Sequence, residues 1–170
     1  SVDNGNTISD YDSEEIKRKF SINAAVIPIE WNGLKINILD APGYFDFVGQ
    51  TEDAMSVADA AVIVVNGKAG LEVGTIKAWE ICERRKIPRI FFITGMDDPN
   101  AKYMETEKQL KATFGKQIAP FHLPIIEDGI LTGYVNVVKM GGRKFVGDNG
   151  EYVERDIPDN LESDLIPCRE

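Results

Sequence analysis

The stretch Ile36–Gln50, INILDAPGYFDFVGQ, constrains this chain more than any other. Ile36, Ile38 and Leu39 make an apolar run that ends on Asp40. Ala41-Pro42-Gly43 then turns the chain into a loop that enters a helix. A carboxylate at the carboxyl end of a buried strand can hold a magnesium ion through water. A glycine three residues later lets its N–H meet a phosphate oxygen with no side chain in the way. The same residues also make an ordinary strand-to-helix turn, so the rest of the chain must decide between the two.

The flanking pattern is that of an α/β protein. Ala24–Trp31 and Leu34–Leu39 are apolar runs joined by Asn32-Gly33, the strongest short hairpin signal, since both residues accept positive φ. Pro28 cannot donate to a ladder, which predicts an edge strand. Val48–Ala58 carries a helical pattern. Ala60–Val65 is an unbroken apolar run, as in a parallel strand covered on both faces. Asn66–Gly74 holds three glycines and reads as a loop. Thr75–Lys86 spaces Ile76, Trp79 and Cys82 as a helix stripe that packs on a sheet. Arg89–Thr94 is a further buried strand, which delivers Thr94-Gly95-Met96-Asp97 to the carboxyl edge where α/β sheets bind ligands. Asn100–Phe114 follows as a helix, expected to be capped by Asn100 and stopped by Gly115.

Beyond Ile118 the period changes. Phe121–Ile126, Ile130–Lys139, Lys144–Val146 and Glu151–Arg155 read as short strands. Turns are expected at Gly141-Gly142 and Asp148-Asn149-Gly150, giving a small antiparallel sheet before an acidic tail that begins a helix. The expected division is residues 1–116 and 117–170. His122 is the single histidine, has an aromatic neighbour and reads as structural. Residues 1–8 are polar, with Gly5 and two asparagines, and are expected to be poorly ordered.

Composition excludes several classes. With 43% hydrophobic residues, 170 residues can bury a core, so a disordered chain is a poor reading. A net charge of −9 repels a phosphate backbone, so general DNA or RNA binding is not expected. Cys82 and Cys168 are too few and too far apart for a disulfide framework or a metal cluster. No apolar run approaches the roughly 20 residues that span a bilayer, and the chain reads as cytoplasmic.

DAPGYFDF resembles the DTPGHVDF segment of translational GTPases. Upstream, Asp10–Ile22 (DYDSEEIKRKFSI) is similar, without a gap, to the D-x-x-x-x-E-x-x-RGITI pattern of switch I in elongation factor G. TGMDD, Thr94–Asp98, stands where that family has NKMD, the motif that reads guanine. Leu123–Ile125, Gly133–Met140 and Asp156–Pro158 resemble the family's small insert subdomain. The resemblance covers nearly the whole chain with its motifs in order. It implies a partial P-loop GTPase fold, a doubly wound, mostly parallel sheet with helices on both faces, plus a small antiparallel α+β insert.

The resemblance also implies GTP/GDP and Mg2+ as cofactors, GTP hydrolysis during translocation, and the ribosome, through large-subunit RNA and stalk proteins, as partner. Ser21 and Asp40 would serve magnesium, Gly43 the γ-phosphate, Thr94 and Asp97 the guanine, and Tyr44 the attacking water. A ribosomal protection factor of the tetracycline-resistance type shares this domain. A degenerate module that binds the ribosome without efficient hydrolysis is the reading from another class.

Three departures matter. No G-x-x-x-x-G-K-[ST] phosphate loop occurs, which implies a piece of a longer protein, weak nucleotide binding in isolation, and a gap in the sheet. The chain must close that gap, swap strands or split. Tyr44 stands where the family has histidine; a phenol donates a hydrogen bond but is a far weaker base than imidazole near neutral pH. Thr94 and Gly95 replace the family's asparagine and lysine.

Overall fold

The computed structural model describes residues 2–147 and 150–169. Two compact units divide the chain. The first takes residues up to Ile63 together with Glu72–Phe92, and the second takes Val64–Leu71 together with the chain from Ile93 onward.

In the first unit, β1 (Ala25–Trp31) and β2 (Leu34–Asp40) form the expected hairpin. Asn32 at φ 50° and Gly33 at φ 75° supply the two left-handed residues of a type I′ turn. The register runs from Trp31↔Leu34 to Ala25↔Asp40, and Pro28 sits opposite Asn37. Among the described residues β1 pairs only with β2, so Pro28 lies on an edge strand.

Ahead of the hairpin stands a short helix, α1 (Ser13–Arg18); α2 (Val48–Val57) follows it. The N-terminal residues do form local structure: Val2–Asn4 is a 3-10 turn, and Gly5, at φ 63°, packs so closely on Ile16 that a Cβ would lie 2.7 Å from its Cγ2.

β3 (Ala61–Asn66) and β4 (Arg89–Thr94) flank α3 (Val73–Arg85) in sequence. Ala61 N–H donates to Pro88 O at 2.9 Å, and Gly67 N–H to Thr94 O at 2.8 Å, an equal offset along both strands that makes the pair parallel. Ala61, Ile63, Cys82 and Ile87 form a core with Met55, Ala78, Trp79 and Phe91 around it. Cys82 is fully buried, and burial pushes its thiol up. Trp79 stacks on Phe91 at 5.5 Å and carries the Arg89 guanidinium on its ring, the structural role its spacing predicts.

One difference from the sequence reading concerns β3. The unbroken apolar run predicts β3 covered on both faces, yet its residues alternate, with Val62 and Val64 59% and 60% exposed. β2 and β3 share no ladder among the described residues.

The second unit holds α4 (Tyr103–Phe114), the antiparallel sheet β5 (His122–Glu127), β6 (Ile130–Asn136), β7 (Gly141–Val146) and β8 (Glu151–Arg155), and α5 (Asp159–Arg169). Leu123, Ile125, Val135, Val137 and Leu165 make its core, joined by Tyr103, Ile157, Leu161 and Cys168. Gly115 ends α4 at φ 88°, as expected. Asn100 does not cap it: the cap position is Lys102, and Asn100 instead donates through its backbone and side-chain N–H groups to Asp98.

Gly141-Gly142 is likewise not the turn. That turn spans residues 137–140, closed by Lys139 N–H on Asn136 Oδ1, and the glycines begin β7. Gly142 is needed because a Cβ would lie 2.7 Å from Arg155 O. Asp148 and Asn149 of the other expected turn lie outside the described residues. His122 sits 4.7 Å from the Tyr134 ring, and burial, aided by Arg143, pulls its pKa down. Among the described residues no helix is long and apolar enough to cross a membrane.

Candidate nucleotide site

Ser21, Asp40, Gly43 and Tyr44 lie in the first unit, Thr94 and Asp97 in the second. Asp40 closes β2 and is half-buried. The turn after it is pinned: Pro42 is buried, and Thr51 of α2 donates its hydroxyl to Pro42 O at 3.0 Å. Gln50 of the same helix accepts Ala24 N–H at 3.0 Å, so α2 holds the start of β1 and the turn after β2 together. Gly43 is exposed, and a Cβ there would meet nothing within 4 Å. That space leaves the Gly43 backbone open to a ligand.

Tyr44 is 58% exposed. The ring of Phe20 packs on it at 4.7 Å, and Phe20 lies 6.2 Å from Phe47. One aromatic side chain from the segment before β1 thus covers the segment after β2. Sequence reasoning missed this contact; the signal available was an aromatic residue directly before Ser21.

The segment from Asp10 to Asn23 is ordered from within. Asp12 and Glu15 form a capping box at the start of α1, with Asp12 Oδ1 accepting Glu14 N–H at 2.8 Å. Glu15 is 2% exposed, and its carboxylate accepts three backbone N–H groups: Asp12 at 3.2 Å, Ile22 at 2.9 Å and Asn23 at 2.9 Å. Burial alone raises the Glu15 pKa, but the donors from Asn23, Ile22 and Asp12 together outweigh it and hold the carboxyl below its usual range. Ser21 donates its hydroxyl to Asp10 Oδ1 at 2.7 Å, which leaves the hydroxyl oxygen free to accept or to ligate.

In the second unit, β4 ends at Thr94, whose hydroxyl makes a long 3.5 Å hydrogen bond to Val65 O. Gly95 follows at φ 66°, a left-handed conformation that glycine adopts without cost. Asp98 N–H donates to Gly95 O at 3.2 Å and closes the turn that carries Asp97. Asp97 is exposed, and no hydrogen bond from a described residue reaches its carboxylate. Asp98 has another part. It accepts Asn100 N–H and Nδ2 and meets Lys68 Nζ at 3.3 Å, and these contacts, Asn100 first, pull its pKa down.

Among the described residues no three His, Cys, Asp or Glu side chains gather as a metal cage. Asp10, Ser21 and Asp40 offer hard oxygen donors, which fits magnesium, an ion that takes few protein ligands and completes its shell with water and phosphate.

Comparison with known proteins then decides the family. The elongation factor Tu GTP binding domain matches residues 1–158.

This chain belongs to that GTP-binding-domain family.

Elongation factor G of Thermotoga maritima is 32% identical over 170 residues, covering 99% of this chain and 25% of its own length. Mitochondrial ribosome-releasing factor 2 of Culex quinquefasciatus is 32% identical over 147 residues, covering 86% of this chain and 19% of its own. A crystal structure of a protein from Thermus thermophilus superposes with a TM-score of 0.91 at 33% identity, over 99% of this chain and 25% of that one. The mixed α/β architecture, with a parallel pair, helices and antiparallel strands, is therefore that of the GTP-binding domain, and the chain spans about a quarter or less of the relatives it matches.

Proposed function

We propose that this chain is part of the GTP-binding domain of an elongation-factor-G-like translation factor, and that the full-length factor hydrolyses GTP on the ribosome in the cytoplasm during translocation. The observation that carries the reading is the strand-end carboxylate Asp40 followed by the pinned Pro42 turn and the open Gly43, in a chain that follows elongation factor G over 99% of its length. Magnesium, when bound with GTP, neutralises charge on the phosphate oxygens.

Asp40 would hold that ion, and Ser21, whose hydroxyl donates a hydrogen bond to Asp10, would offer it an oxygen lone pair. The Gly43 N–H meets the γ-phosphate. Tyr44 orients water by a hydrogen bond rather than by taking a proton, and the Phe20 ring limits where its side chain can swing. Asp97 accepts from guanine N1 and N2, and Thr94 holds the start of its turn. Residues 1–116 carry this chemistry. Residues 117–170 form the insert, which meets stalk proteins while other parts of the factor meet large-subunit RNA.

The test is magnesium-dependent GTP hydrolysis by the full-length factor with Asp40→Ala. A loss of about 100-fold or more supports the reading, as removal of one charged group from a phosphoryl-transfer site should. Turnover unchanged by that substitution would remove Asp40 from the mechanism. A second reading, a factor that binds GTP and rarely hydrolyses it, is favoured by Tyr44 in place of histidine and by Thr94-Gly95.

A further inference from the structure

The loop after β3 is tied closely to the loop that carries Asp97. Gly67 N–H donates to Thr94 O, and Lys102 N–H donates to Gly67 O at 2.9 Å. A Cβ on Gly67 would lie 2.9 Å from Met96 Sδ and 3.1 Å from Thr94 O, so the two loops approach closely at this glycine. Asn66 and Lys68, on either side of Gly67, are thereby carried to the same turn.

Asn66 is oriented without ambiguity. Its Oδ1 accepts the N–H groups of Lys68 at 2.9 Å and Ala69 at 3.1 Å, an Asx turn that leaves Nδ2 as the outward donor. That Nδ2 lies 3.5 Å from where a Gly95 side chain would begin, so the absence of a side chain at Gly95 opens space beside an amide donor. Lys68 reaches across to Asp98 with its side chain 58% exposed.

The turn thus presents an unpartnered carboxylate at Asp97, an amide donor and a cation. Guanine presents the complement: a donor edge at N1 and N2, and acceptors at O6 and N7. Asp97 can serve only the donor edge.

We propose that Asn66 and Lys68 belong to the base-reading site and donate to the acceptor edge of guanine, supplying from the β3 side the polar groups that Thr94 and Gly95 do not. The assignment rests on Asp97 reading guanine, as set out above. Asn66 and Lys68 act on base affinity and selectivity, not on the phosphate chemistry.

The test is a titration of this chain with GMP, and with AMP as the control, followed by 15N–1H NMR. GMP should shift the amide signals of Gly67, Gly95 and Asp97 at millimolar concentrations, and AMP should not. Lys68→Ala should weaken GMP by about twofold to tenfold, the effect of one net hydrogen bond, while Lys68→Arg stays within about twofold of the parent. Asn66→Asp keeps the Asx-turn acceptor but replaces the donor with a carboxylate facing O6 and N7, and should weaken GMP by at least about tenfold with the turn intact.

If Lys68→Ala and Asn66→Asp bind GMP as the parent does while Asp97→Ala does not, the inference is overturned and Asp97 keeps its role. If Asp97→Ala also binds as the parent does, or GMP shifts nothing, the base-reading assignment falls with it.

Discussion

Removing the Glu15 carboxylate should release the whole segment before β1. Glu15 is 2% exposed and accepts N–H groups from Asp12, Ile22 and Asn23, so it joins the start of α1 to the entry of β1. Hydrogen bonds to charged groups contribute about 1.5–3 kcal/mol each, and Asp12 is exposed enough for water to replace its share. Glu15→Ala should therefore cost about 3 kcal/mol, roughly 100-fold in the opening equilibrium.

Both the Ile22 and Asn23 bonds end on Oε1, so Glu15→Gln keeps them and turns only its NH2 against Asp12 N–H. Its cost should be about 1 kcal/mol. Hydrogen exchange at Ile22 and Asn23, beside urea denaturation, reads both. The pH dependence has a fixed sign. The folded carboxyl lies below the usual 4.5, so its contribution is complete above that value and is lost as pH falls through the folded pKa. Exchange at Ile22 and Asn23 left unchanged by Glu15→Ala would refute the account of this segment.

Two further substitutions probe the second unit. Gly133→Ala places a Cβ 2.0 Å from Arg143 O on the paired strand, so the β6–β7 ladder must move. A cost of about 3 kcal/mol, or roughly 6–12 °C in melting temperature, is expected by calorimetry, and an unchanged melting temperature would contradict the close approach. Tyr103→Phe removes the hydroxyl that donates to His122 O at 2.7 Å; chemical denaturation should show a loss of about 1 kcal/mol. The Tyr103 phenol is pushed well above its usual range by burial, first, and by Glu107, so this side chain should contribute no phenolate absorbance up to the pH at which the parent unfolds.

Much of this structure is legible where local rules are strong. Asn32-Gly33 marks a hairpin because two left-handed residues admit few other turns, and Gly115 ends α4 for the same reason. Asp40 and Gly43 are placed by a strand end that hydrophobic patterning marks well.

What escapes is set by partners distant in sequence. Glu15 reads as one more charge in an acidic helix until its acceptors are matched to Ile22 and Asn23. Asn100 looks like a helix cap, but its N–H groups fold back onto Asp98, and the helix begins only at Tyr103. Gly141-Gly142 reads as a turn because glycine serves turns and close strand approaches alike, and only the position of Arg155 O separates the two. The proposed base-reading role is suggested in the sequence at Asp97 but not at Asn66, whose proposed part depends on the pairing of β3 with β4 that brings it beside Thr94.

We propose that the full-length factor couples GTP hydrolysis to the ribosome with tyrosine at position 44. The direct test is GTP turnover by the full-length factor with and without ribosomes, beside Tyr44→His. Stimulation by ribosomes in the unmodified factor is the expected result, with histidine changing the rate by less than about tenfold, since one positioned acid–base group contributes about 100-fold or more when it carries the step. No turnover on ribosomes until histidine is restored would contradict the account and leave a GTP-binding switch that does not hydrolyse.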